Sequence, residues 1–86
     1  MELYKLVSIT HTVYPTHSNY KILKITAIWR DLQFNKYFEC TLTVHIQNDK
    51  PLFWQWGYSN NPQPPKSIKI QIAKYLKRKF NVSIRV

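Results

Sequence analysis

Tyr37-Phe38-Glu39-Cys40-Thr41-Leu42-Thr43-Val44-His45-Ile46-Gln47 decides how this chain is built. Phe38, Cys40, Leu42, Val44 and Ile46 alternate strictly with Tyr37, Glu39, Thr41, Thr43, His45 and Gln47. A period of two held this long predicts a strand with one buried and one wetter face. At helical spacing the same five apolar side chains would scatter right around a cylinder. Asn48-Asp49-Lys50-Pro51 follows as a turn.

Working upstream, residues 20–30 repeat the pattern. Leu23, Ile25, Ala27 and Trp29 line one face; Ile22, Lys24, Thr26, Ile28 and Arg30 line the other. Residues 31–36 carry the chain round, with Asp31 and Asn35 suited to a turn and Leu32 and Phe34 leaving the loop length open. A further strand is expected over residues 3–14, rich in β-branched side chains. Leu3, Val7, Ile9 and Val13 fall on one face, and Tyr4, Leu6, Ser8, Thr10, Thr12 and Tyr14 on the other. Pro15-Thr16-His17-Ser18-Asn19 has turn composition and should end it.

Downstream, residues 52–58 predict a short fourth strand with Leu52, Trp54, Trp56 and Tyr58 on one side. Three prolines, Pro62, Pro64 and Pro65, then make a stiff extended connector. Residues 66–80 place Ile68, Ile72, Tyr75, Leu76 and Phe80 in one helical sector and Lys66, Lys69, Lys74, Lys77 and Arg78 in the opposite one. Pro65 suits the first helical turn, with Ser67 as an alternative N-cap. Asn81 can take the left-handed conformation that ends a helix. Val82, Ile84 and Val86 alternate with Ser83 and Arg85, as a short final strand would.

The expected fold is therefore α+β, a single compact domain over residues 1–86 in the order β-β-β-β-α-β. An antiparallel meander of about four strands carries one amphipathic, basic C-terminal helix on one face. Leu23, Ile25, Ala27, Trp29, Phe38, Cys40, Leu42, Val44, Val7 and Ile9 should meet the apolar side of that helix.

Charge is distributed unevenly. The chain carries a formal +9. Lys66, Lys69, Lys74, Lys77, Arg78, Lys79 and Arg85 supply most of it, and no acid lies among residues 66–86. Such a balance favours acidic partners, nucleic acid first and an acidic protein surface after it. The only glycine, Gly57, excludes Gly-rich phosphate loops. The only cysteine, Cys40, excludes an internal disulfide and fits a reducing cytoplasm. No run approaches the ~20 apolar residues that span a bilayer, and the N-terminus lacks the order of a signal peptide. No membrane partner is expected.

Lys66, Lys69, Lys74, Lys77 and Arg78 are the main candidate nucleic-acid contacts, with Lys24 and Arg30 secondary. The plain alternative is a solubilising face whose last turn complements the helix dipole. Lys66 and Ser67 also sit where free helix amides can hold a phosphate. The outer sheet face, with its threonines, Lys24, Arg30, Tyr37 and His45, offers either a backbone-tracking and base-stacking surface or an ordinary solvated face. Tyr4, Leu6, Ile22 and Ile28 there leave a homodimer surface as a third use. Trp54, Trp56 and Tyr58 serve either as a cap on a small core or as a partner-binding patch. The second function is thus a protein-interaction module or inhibitor, of the kind encoded by phages or mobile elements. His11, His17 and His45 raise the question of phosphodiester chemistry, but no catalytic motif surrounds them. Neither a metal nor another cofactor is implied. The expected activity is a low-specificity nucleic-acid- or nucleoprotein-binding module, and no enzyme.

Overall fold

The computed structural model describes residues 2–17 and 19–86, and of His17 the backbone only. Strands β1 (Tyr4–His17), β2 (Tyr20–Asp31), β3 (Lys36–Gln47) and β4 (Lys50–Gly57) precede helix α1 (Lys66–Phe80). The strands form one antiparallel sheet in the order β1-β2-β3-β4. The expected α+β meander is what the chain forms.

Turn chemistry sets the register. Asn48 and Asp49 both have positive φ, 52° and 64°. That is the geometry of a two-residue hairpin loop whose twist matches the flanking strands. The β2–β3 connection is held by Asp31, whose Oδ1 accepts from the amides of Gln33 and Phe34, and closes through Asn35 at φ 54°. With one glycine in the chain, Asn and Asp supply most of the left-handed positions, their short polar side chains tolerating that region. Asn48 N donates to Asn19 O at 2.9 Å, which ties neighbouring sheet turns together.

One face of β2 and β3 is the core. Leu23, Ile25, Ala27, Trp29, Cys40, Leu42, Val44 and Ile46 are all buried. Across from them α1 buries Ile68, Ile72, Tyr75 and Leu76. A helix of this length is marginal alone, and its β-branched isoleucines lower its propensity further. Burial of Ile68, Ile72 and Leu76, about 1.5–3 kcal/mol each, is what holds it. Pro65 is the N-cap rather than a first-turn residue, its carbonyl accepting from Ile68 N and Lys69 N at 3.0 Å. Ser67 lies inside the first turn and does not cap. Asn81 ends the helix at φ 56°, ψ 35°.

Four expectations need correction. The first concerns β1, which contains a bulge between Leu6 and Ser8. Leu6 pairs with Trp29 and Tyr4 with Asp31, while Ile9, His11 and Val13 pair with Ala27, Ile25 and Leu23. Tyr4 and Leu6 therefore join the core face, and Val7, the extra residue, is left 47% exposed. Second, β1 does not end at Pro15. It continues to His17, because β1 is an edge strand and tolerates a missing amide donor. Ser18 lies outside the described residues.

The third correction is in β4. His45 pairs with Phe53 but Ile46 with Pro51, so Leu52 bulges out and is exposed. Trp54 and Trp56 keep the helix-facing side, and Tyr58 lies beyond the strand. Finally, residues 81–86 form no strand. Val82 instead drops into the core at 4% exposure and Ile84 packs against it. An extended segment that buries alternate side chains under a helix end reads, in sequence, like an edge strand.

Candidate nucleic-acid interface

The cations named from the sequence do not share one surface. On α1 the buried side chains Ile68, Ile72, Tyr75 and Leu76 fix which side meets the sheet. Lys66, Lys74 and Lys77 stand on the opposite side, all exposed, with Ile70 among them. Two others lean onto aromatic rings at the flanks. Lys69 Nζ lies 5.2 Å from the centre of the Trp56 ring on β4, and the Arg78 guanidinium 5.9 Å from that of Tyr75. Lys77 Nζ donates to Asn81 Oδ1 at 3.0 Å, so it serves the helix end as well as the field. Lys66 and Ser67 are exposed at the helix start, where no acidic residue occupies the first turn. Lys79 and Arg85 are exposed too.

Lys24 and Arg30 lie on the far side of the sheet. Lys24 pairs with Thr12 and Thr43, and Arg30 with Lys5 and Tyr37, all directed away from α1. No described element covers this face. It is organised in rows that cross the strands. Thr10, Thr26, Thr41 and Gly57 form one row, and Thr12, Lys24, Thr43 and Gln55 the next. Beyond them Tyr14, Ile22, His45 and Phe53 run across all four strands. His45 and Phe53 are stacked, with ring centres 4.1 Å apart and an interplanar angle of 17°. Tyr20 Oη and His45 Nδ1 share a hydrogen bond of 2.6 Å that fixes the imidazole plane. At the other end of the face Arg30 lies over the exposed Tyr37 ring, 5.4 Å from its centre, and donates through Nη2 to Asn35 Oδ1.

One pairing on this face is unfavourable as it stands. Lys5 and Arg30 are directly opposite on adjacent strands. Like charges so placed cost roughly 0.2–1 kcal/mol, and Glu39, the acid on the same face, pairs with Ile28 instead.

The histidines named from the sequence do not converge. His11 lies on the core side, where Nδ1 shares a 2.6 Å hydrogen bond with Tyr75 Oη and the ring meets Phe80 edge-on at 4.8 Å. His45 is on the outer face, and the side chain of His17 lies outside the described residues. Glu39 and His45 share the outer face at opposite ends of β3. Cys40 is buried on the helix side, and burial, with the Glu39 carboxylate adding and Lys69 opposing, pushes its thiol from 9.0 up to about 11. Among the described residues no group of three or more His, Cys, Asp or Glu side chains is placed to hold a metal ion.

Trp54 and Trp56 are half-buried against the core, which makes them a flank of the helix cradle. The exposed apolar side chains near them are Leu52, Phe53 and Tyr58. Sequence reasoning missed the stack of Phe53 on His45, because the register that pairs them depends on the Leu52 bulge. No helix is long and apolar enough to cross a membrane among the described residues. Comparisons with protein-family models, with curated proteins and with solved structures find no match.

Proposed function

We propose that the chain is a small nucleic-acid- or nucleoprotein-binding module that contacts phosphates through the exposed side of α1. The observation that carries this reading is Lys66, Lys74 and Lys77 on one outward side, with Arg78 beside them and no acid anywhere in residues 66–86. Solvated helix faces usually mix signs; this one is of one sign and is held rigidly by four buried side chains. Phosphate contacts of this kind position a ligand without reading its sequence, so specificity is low or set by shape. A buried, lone Cys40 suits a reducing compartment such as the cytoplasm.

The test is Lys74→Glu/Lys77→Glu/Arg78→Glu, assayed by fluorescence anisotropy on labelled DNA and RNA at about 50 and about 200 mM salt. The parent should bind and weaken steeply with salt, and the variant should fold but lose duplex binding. Unchanged duplex affinity in the folded variant refutes the reading.

A second reading is favoured by the exposed Leu52, Phe53 and Tyr58 beside Trp54 and Trp56 on the edge strand β4. Here the chain is a protein-interaction module or inhibitor, and the basic side of α1 meets an acidic protein. An aromatic-centred contact of that kind changes little with salt and is weakened by Trp56→Ala or Tyr58→Ala.

A further inference from the structure

We infer that the open face of the sheet is a second nucleic-acid surface and that it takes single strands, stacking bases on Phe53 and His45 while Lys24, Arg30 and Lys5 meet phosphates. The class of partner rests on the reading of α1 above; the surface and its preference for unpaired bases do not.

Three observations carry the inference. First, the aromatic row is exposed and already arranged. Phe53 is 51% exposed, and its ring lies flat on His45 rather than edge-on. His45 is in turn held by Tyr20. A ring whose orientation is fixed before binding loses little freedom when a base stacks on it. Paired bases are sealed inside a duplex and offer no free face to Phe53; unpaired ones do.

Second, charge on this face is placed for a polyanion. Lys5, Lys24 and Arg30 stand against Glu39 alone, and Lys5 faces Arg30 across a ladder pair. Among the described residues no carboxylate is the ladder partner of any of these cations. A phosphate between Lys5 and Arg30 turns their mutual repulsion into a two-sided contact.

Third, the spacing fits a short strand. Tyr37, 59% exposed, and His45 stand eight positions apart on β3, roughly 26 Å at strand rise. Between them lie Glu39, Thr41 and Thr43, with Ile28, Thr26 and Lys24 alongside; the carboxylate sits next to Tyr37, and the half nearer His45 is a floor of hydroxyls and one ammonium. Two aromatic stations at that separation suit a site at the lower end of the ~4–16 nucleotides of small single-strand binders.

The experiment uses the full chain with labelled oligo(dT) and a labelled duplex of equal length. Phe53→Ala and Lys24→Glu are compared with the helix variant Lys74→Glu/Lys77→Glu/Arg78→Glu, each checked for folding by circular dichroism. Phe53→Ala should weaken oligo(dT) binding by about 5- to 100-fold, as loss of one stacked base does, and leave the duplex unaffected. Lys24→Glu, a surface change, should weaken oligo(dT) and flatten its salt dependence. The helix variant should lose the duplex and keep oligo(dT).

If Phe53→Ala and Lys24→Glu bind oligo(dT) like the parent while the helix variant loses both ligands, this inference fails and the reading of α1 stands. Equal losses on both ligands in Phe53→Ala also overturn it. If the parent binds neither ligand at low salt, both readings fall. A parent dimer that Phe53→Ala converts to monomer, with nucleic-acid affinity unchanged, makes the face a contact between two copies and overturns the inference as well.

Discussion

Deleting Val7 should leave the fold intact. In β1 the residues before and after it, Leu6 and Ser8, pair with Trp29 and Ile28, which are consecutive on β2. Removing the bulged residue makes the ladder regular and keeps Tyr4 and Leu6 on the core side. Under this register the change in stability stays within about 1 kcal/mol, the net worth of a regained ladder bond. If Val7 were instead an ordinary ladder residue, it would share the core face with Ile9 and Leu3, and its deletion would remove it and turn Leu3 with the rest of the strand before it to the other face. Two apolar side chains, Val7 and Leu3, would then leave the core, at roughly 1.5 kcal/mol each. Urea unfolding followed by tryptophan fluorescence separates the two cases. A loss of ~3 kcal/mol moves the midpoint by about 1–3 M, and a loss within 1 kcal/mol moves it by about 1 M at most. Deletion of Thr26, in the middle of β2 with ladders on both sides, is the control and should abolish folding. A drop of 2.5 kcal/mol or more on deleting Val7 refutes the register.

Two other outcomes follow from single contacts. A Cβ on Gly57 would stand 2.7 Å from Thr41 Oγ1, so Gly57→Ala should cost roughly 1–3 kcal/mol; Thr41→Ala in the same chain should recover part of that loss, and strictly additive effects in the double-mutant cycle would refute the clash. Burial raises the Cys40 thiol from 9.0 to about 11, so the folded state holds a proton that the unfolded chain releases. Stability from this source is complete below pH 9.0 and is lost as pH rises toward about 11; Cys40→Ala should lose less stability across that window than the parent, and equal losses would refute the assignment.

The sheet was legible wherever a strand has one polar and one apolar phase. In β2 and β3 the apolar phase is unambiguous, and every side chain expected in the core there is buried except Phe38, which is partly so. At the start of β1 both phases are apolar, through Leu3, Tyr4, Leu6, Val7 and Ile9. Alternation cannot then choose a face, and the partner strand decides. The final strand failed for a related reason: alternation at Val82 and Ile84 reports burial on one side, while a ladder also needs the segment to pair with a sheet edge, and residues 81–86 pair with neither β1 nor β4. The helix cations were legible because 3.6 residues per turn sort them from sequence alone. The stack of Phe53 on His45 was not, since it joins two strands whose register is shifted by the Leu52 bulge.

The separation of cations onto two faces has a consequence for how the molecule would handle a polyanion. Two packed layers about 10 Å apart, with side chains reaching outward from each, put the charges of α1 and those of the outer sheet face roughly 20 Å from each other. One pair of unit charges at that distance in water repels by about 0.2 kcal/mol before screening. About a dozen such pairs sum to roughly 1 kcal/mol at 10 mM salt, where the Debye length is ~30 Å, and to ~0.2 kcal/mol at 150 mM, where it is ~8 Å. A strand that neutralises one face should therefore favour occupation of the other only at low salt. In a competition assay, saturating the outer face with oligo(dT) should raise duplex affinity at α1 by several-fold at about 10 mM salt and hardly at all at about 150 mM. Strong coupling that persists at the higher salt would mean that one ligand bridges both faces, and the two surfaces would have to be redrawn as one.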